Sequence, residues 1–318
     1  MPNFKQITFV SLVMLTALMA VACTTISQPT TPTPENTPSP TVAPTLENTP
    51  LPQVLSTTPP TMKGHIDVNG YKLAYQCFGE GSPTVIVEAA LFDQPTVAMT
   101  WKQVTERVQT VTRICIYNRA EVRTSQDIAQ NLHMLLSRIP LPGPYILVGH
   151  SIGGYHVRVF AHLYPQEVAG MVLVDTTYPD PMKEFLKAYP TYTPNELPAL
   201  TSDRATMVAP TPTVNVIAGD FDVAASTEQV IQAGSLGDLP LIVISQHPDP
   251  TPWMSPGFSS EDAERLSTAW QNLQADLATL SSKGVFMTAK YSGHYIPVEE
   301  PQIIIDALTQ MVKEIRSQ

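Results

Sequence analysis

The feature that most constrains this chain is a series of short, continuous apolar runs rich in β-branched residues, at 84–87, 113–117, 145–148, 171–174, 241–244 and 285–288. A strand with one wet face alternates apolar and polar residues. Runs without that alternation belong to strands buried on both faces, as in a parallel sheet. Segments between most of them carry helical periodicity, as at 127–138 and 261–280, and the C-terminal stretch puts Ile304, Leu308, Met311 and Ile315 on one face. Strands alternating with helices predict an α/β fold with a mostly parallel central sheet flanked by helices. Residues 65–68 and 71–75 flank Asn69-Gly70, a pair that favours a tight hairpin turn, so two further strands open the domain near Gly64. The rhythm breaks over 176–239, where helical pieces and prolines occur without a convincing core strand, and a helical cap insertion is expected there.

The folded domain is therefore expected over 64–318, which leaves an unusual N-terminus. Lys5 precedes an uncharged, mainly apolar run at 7–22 that ends at Cys23, the layout of a secretory signal peptide over 1–22. The run is shorter than the roughly 20 apolar residues a spanning helix needs. Ala20-Val21-Ala22-Cys23 resembles a bacterial lipoprotein processing box, which implies lipid attachment at Cys23 and an extracytoplasmic, membrane-anchored protein. Ordinary signal-peptidase cleavage and secretion, or an uncleaved anchor, are the alternatives. Residues 23–63 then turn to Thr and Pro with few large apolar side chains, so they cannot offset the entropy of folding and are expected to be a disordered linker. At roughly 3.1 Å per residue, such a Pro-rich tether would reach up to ~120 Å.

Charge narrows the range of partners. The chain carries 28 acidic against 18 basic residues and no basic cluster, which argues against nucleic acid. There is no H-E-x-x-H, C-x-x-C, P-loop or G-x-G-x-x-G, so neither a metal nor a nucleotide cofactor has support in the sequence.

The chemistry concentrates at Gly149-His150-Ser151-Ile152-Gly153-Gly154, directly after the strand at 145–148 and before a helical segment that reaches Tyr164. This is G-x-S-x-G in the context it requires. A sharp strand-to-helix turn lifts the Ser151 hydroxyl above the sheet, and larger residues at 149 or 153 would clash with the adjoining elements. Ser151 is the candidate nucleophile. The amide of Ile152, at the start of the following helix, is a candidate oxyanion donor.

This stretch resembles the nucleophile elbow of the α/β-hydrolase superfamily, and the resemblance extends over 64–316. Tyr291-Ser292-Gly293-His294-Tyr295-Ile296-Pro297, after the last strand, is similar to the family's catalytic-His loop, which implies that His294 is the base. Chain order in this fold runs Ser, acid, His. The segment 240–249 resembles the family's acid-bearing penultimate-strand segment, with Gln246 where glycine is usual, and implies Asp249 as the acid. Asp175, one strand earlier, is the alternative. The loop after the strand at 84–87, Glu88-Ala89-Ala90-Leu91, stands where the family supplies a second oxyanion donor, and Leu91 is the expected amide with Ala90 as alternative. Asn118-Arg119-Ala120-Glu121 resembles the family's Asp-Arg-x-Gly turn with two replacements. In the superfamily's strand order the strands bearing Cys77 and Cys115 are neighbours, so a disulfide between them is expected in an exported protein.

The resemblance implies a serine hydrolase that cleaves carboxylic ester-type bonds of a small-molecule substrate through a Ser-His-Asp triad and an acyl-enzyme. Dehalogenase and epoxide-hydrolase relatives carry Asp where this chain has Ser151. A lactonase or peptidase of the same fold, and a catalytically inactive binding protein that keeps the fold, stand as alternatives. Tyr178, Met182, Phe185, Tyr189 and Tyr192 are candidates for an acyl pocket or for the cap's own core, and Trp253, Met254 and Phe258 for lining the site.

Overall fold

A hairpin opens the described part of the chain: in the computed structural model this covers residues 62–318 except 94–96, 121–122, 209–215 and 218–220. The signal segment, Cys23 and nearly all of the linker lie outside it. Strands β1 (Met62–Val68) and β2 (Tyr71–Phe78) pair antiparallel across Asn69 and Gly70. Both turn residues take positive φ, 52° and 83°, the backbone a twisted two-residue hairpin demands.

The remaining main strands are β3 (Val85–Glu88), β4 (Ile114–Tyr117), β5 (Tyr145–His150), β6 (Val168–Val174), β9 (Leu241–Ser245) and β10 (Gly284–Thr288). They complete an eight-stranded sheet in the order β1-β2-β4-β3-β5-β6-β9-β10, parallel from β4 to β10. Every residue of β3, β4, β5 and β9 is buried, as their unbroken apolar runs require. Between them run helices α1 (Val97–Thr100), α2 (Lys102–Val108), α3 (Ser125–Arg138), α4 (Gly153–Leu163), α5 (Met182–Ala188), α6 (Pro198–Val208), α7 (Val223–Ala233), α8 (Ser260–Ala278), α9 (Ile296–Glu299) and α10 (Pro301–Arg316). Thr124 with Asp127, and Ser259 with Asp262, form capping boxes that fix the starts of α3 and α8, each cap stabilising by about 1 kcal/mol.

The two-residue period of the strands divides their side chains into two cores. Ile86, Cys115, Leu147, Met171, Leu173 and Val243 pack with Leu132 and Leu135 of α3 and Val157 and Phe160 of α4. On the other face Val85, Val87, Ile146, Val148, Val172 and Ile244 pack with Trp101, with Val104 of α2 and with Ile304, Leu308 and Met311 of α10. The result is a helix–sheet–helix sandwich. Cys77 and Cys115 stand directly opposite on β2 and β4 and are joined by a disulfide.

A third cluster collects Phe185 and Tyr189 with Leu200, Met207, Trp253, Phe258, Leu266 and Trp270. Thus α5 packs on α8 and α6 packs on α5, above the sandwich. The rest of the expected cap region behaves differently. Two short strands, β7 (Val216–Ile217) and β8 (Phe221–Asp222), make a separate ribbon, and α7 packs against α3 and α4 in the main body. Among the described residues no helix is long and apolar enough to cross a membrane.

Candidate active site

β5 ends at His150 and α4 begins at Gly153, so Ser151 and Ile152 alone make the turn between them. Ser151 sits at φ 56°, a left-handed conformation that is rare outside glycine and turn residues. Its amide donates to Val174 O at 3.2 Å, and its carbonyl accepts from Gly154 N and Thr177 N, both at 3.1 Å. Strand end, turn and helix start are thereby tied together. A Cβ on Gly149 would come within 2.7 Å of Gly154 Cα, and one on Gly153 within 2.3 Å of Glu88 O. The close approach of backbones excludes any side chain at these two positions. Ile152 directly precedes α4, and its carbonyl accepts from the Tyr155 amide in the first turn at 3.0 Å.

His294 lies in the loop between β10 and α9, and its backbone is held from two sides. Glu300 accepts the amides of Lys290, Tyr291 and Ser292, and Glu299 accepts that of Gly293 at 2.8 Å. From beneath, the fully buried His150 places Nε2 at 2.9 Å from the His294 carbonyl. A carbonyl can only accept, so His150 carries its proton on Nε2.

The acid beside this imidazole is Asp175. Its Oδ2 is 2.7 Å from His294 Nδ1, and the carboxylate is almost wholly buried. Its Oδ1 accepts from Trp270 Nε1 at 2.9 Å and from the amide of Gln246 at 3.1 Å. A carboxylate accepts only, so His294 holds its proton on Nδ1 and presents Nε2 as an acceptor. That Nε2 is buried and has no hydrogen-bond partner among the described residues. The expectation that Asp249 would stand here is corrected. Asp249 takes the Thr251 amide at 2.8 Å, just before the short 3₁₀ turn Thr251–Trp253, and that bond holds its carboxyl below the usual range. The segment after β9 does contribute to the site, through the Gln246 amide.

The loop after β3 runs beside the elbow, with Glu88 of β3 level with Gly149 of β5. Ala89 and Ala90 are buried, and Leu91 opens a 3₁₀ turn, Leu91–Asp93. Behind the loop Glu88 is fully buried between Tyr117, whose hydroxyl donates to Oε2, and Arg119, whose Nη1 is 2.6 Å from Oε1. Burial pushes the Glu88 carboxyl up, opposed by the adjacent guanidinium, and holds the Tyr117 phenol neutral. In the sequence Arg119 reads only as part of a turn, with nothing local to connect it with this loop. Trp270, on α8, likewise reads in the sequence as one more apolar-face residue.

Of the pocket candidates, Phe185, Tyr189, Trp253 and Phe258 are buried in the cluster above α8, while Tyr192 and Met254 are exposed. Trp270 joins that cluster to Asp175. Among the described residues no group of three or more His, Cys, Asp or Glu side chains is arranged to hold a metal ion.

A family model described as alpha/beta hydrolase fold matches residues 109–210. Among curated proteins, the sequence is 28% identical over 143 residues to the probable transporter efuK of Hormonema carpetanum, covering 38% of this chain and 20% of that protein. It is 26% identical over 237 residues to the uncharacterized protein YqjL of Bacillus subtilis (strain 168), covering 71% of this chain and 82% of that one. The chain thus spans a fifth of the first relative's length and most of the second's. Among solved structures, a thermophilic esterase from Thermogutta terrifontis superposes with a TM-score of 0.52 at 18% identity, covering 80% of this chain and 99% of its own. A haloalkane dehalogenase loop variant from Bradyrhizobium elkanii gives 0.55 at 14%, covering 81% and 98%.

Proposed function

We propose that this chain, whose fold is that of the α/β-hydrolases, is a serine hydrolase that cleaves carboxylic ester-type bonds of small-molecule substrates. The observation that carries this reading is the Asp175–His294 pair: a buried carboxylate fixes one tautomer of an imidazole whose other nitrogen has no partner among the described residues, and Ser151 stands at the tip of the neighbouring elbow. In the reaction His294 Nε2 takes the Ser151 proton as Oγ attacks the ester carbonyl. The tetrahedral oxyanion is held by the amides of Ile152 and Leu91. His294 then gives the proton to the leaving alcohol, and a water molecule activated the same way releases the acid from the acyl-enzyme. Asp175 keeps the imidazole oriented and stabilises it while it is charged. A serine in place of the dehalogenases' aspartate favours acyl transfer over halide or epoxide displacement.

The test is turnover of 4-nitrophenyl esters. The wild-type chain should hydrolyse them, and Ser151→Ala, still folded, should lose at least ~10⁴-fold in kcat. Hydrolysis that survives the substitution, or a wild type inert towards esters, would sink this reading and favour a binding protein that keeps the fold. The apolar run ending at Cys23, the Thr/Pro segment after it and a disulfide suited to an oxidising compartment support placing the enzyme outside the cytoplasm on a lipid anchor.

A further inference from the structure

The cluster of Glu88, Tyr117 and Arg119 is costly to bury and lies behind the reacting side chains, so its role has to be sought in what it touches. Arg119 Nη1 donates both to Glu88 Oε1 and to the carbonyl of Ala89, and Nη2 donates to the carbonyl of Ala90 at 2.9 Å. Two successive carbonyls of one loop are thus turned towards one guanidinium. The peptides that contain them are trans, since cis bonds among the described residues occur only before Pro83 and Pro144. In a trans peptide the N–H points opposite to the C=O. Fixing the Ala89 carbonyl fixes the Ala90 N–H, and fixing the Ala90 carbonyl fixes the Leu91 N–H, each facing away from Arg119. Among the described residues neither amide donates to another group. The loop has no glycine to set its conformation, and its two alanines offer no side-chain hydrogen bonds.

We infer that Arg119 is a positioning residue, and that with Glu88 and Tyr117 it orients the oxyanion-binding amides of the β3 loop from behind. The inference rests on the hydrolase reading of the same site and adds the device that shapes one half of its oxyanion hole. The division of labour follows from the contacts. Glu88, anchored in β3, neutralises and holds the guanidinium; Tyr117, anchored in β4, fixes the second carboxylate oxygen; and Arg119 transmits that position to the loop. The packing of Gly153 against the Glu88 and Ala89 carbonyls closes the other side of the same strand end. A lysine at 119 would keep the charge but could not reproduce the fork that reaches two carbonyls and a carboxylate together.

The experiment compares wild type, Arg119→Lys and Tyr117→Phe in 4-nitrophenyl acetate hydrolysis and in inhibition by phenylboronic acid. The boronate adds to Ser151 as a tetrahedral adduct and so reports on the oxyanion hole, while KM reports mainly on ground-state binding. Arg119→Lys should lose about 10- to 100-fold in kcat, with boronate affinity falling in parallel and KM little changed. Tyr117→Phe, which keeps the ring and removes only the hydroxyl, should show a smaller loss of the same pattern. Variants that match wild type in kcat and boronate affinity, or that lose activity only together with KM and thermal stability, would overturn the inference while leaving the hydrolase reading intact. A wild type that hydrolyses no ester would overturn both.

Discussion

At Asp175 the backbone turns to φ 41°, a left-handed conformation that Asp tolerates better than most residues. The amide of Asp175 donates to Ile244 O at 2.7 Å, which ties the residue to β9, while its carboxylate gathers His294, Trp270 and the Gln246 amide. All these partners come from segments far away in the sequence, so their convergence depends on the strand order. Chain order admitted Asp175 and Asp249 alike; the 2.7 Å contact of Asp175 Oδ2 with His294 Nδ1, against Asp249's bond to the Thr251 amide, separates them. Asp175→Asn should therefore lower kcat by about 10⁴-fold, because an amide no longer enforces the productive imidazole tautomer. Asp249→Asn should turn over esters at close to the wild-type rate. Steady-state kinetics on the two purified variants checks this, and a large loss at Asp249 with a small one at Asp175 would return the acid to the later strand. Ser151, by contrast, was legible at once, because the glycines around it are required by contacts within a few residues of the chain and with the neighbouring strand.

Among the elements, continuity of apolar residues located β3, β4, β5, β6 and β9, the strands with a neighbour on each side, and the Asn69-Gly70 turn located β1 and β2; β10, expected from its apolar run to be buried on both faces, lies at the sheet edge with Val285 and Phe286 exposed. The ends were less legible. β5 runs on to His150 because its last residues still pair with Leu173 and Val174 of β6, and β6 starts at Val168, before its apolar run becomes dense. Within β6, Gly170 faces Met311 so closely that a Cβ would stand 2.7 Å from its sulfur, a contact no local pattern announces. The stretch expected to be a single cap divides by packing partner: α5 lies on α8 with α6 against α5, whereas α7 lies on α3 and α4. Its apolar residues fit either surroundings, and the sequence holds nothing that says which face they meet. The clamp on the His294 loop shows the same limit. Glu299 and Glu300 read as an ordinary acidic pair before a helix, yet their carboxylates take four successive amides.

Taken whole, the molecule is a helix–sheet–helix sandwich whose strand ends carry the candidate site: Ser151 after β5, Asp175 after β6, His294 after β10 and the alanine loop after β3. The Cys77–Cys115 bond joins β2 to β4 across 38 positions and, in the chain-entropy account, contributes roughly 4 kcal/mol. A disulfide of this kind fits export, and so does the N-terminal run that ends at Cys23. If Cys23 carries the lipid, the expressed chain should fractionate with membranes and Cys23→Ser should release or retain it unprocessed; an unchanged membrane fraction with normal processing would contradict the anchor. The central claim concerns chemistry. Its most direct measurement is reaction of the purified protein with a fluorophosphonate, followed by intact-mass and peptide mass spectrometry. One adduct per chain, located on Ser151 and absent in Ser151→Ala, is the predicted result; no adduct, or an adduct on another residue, would contradict it.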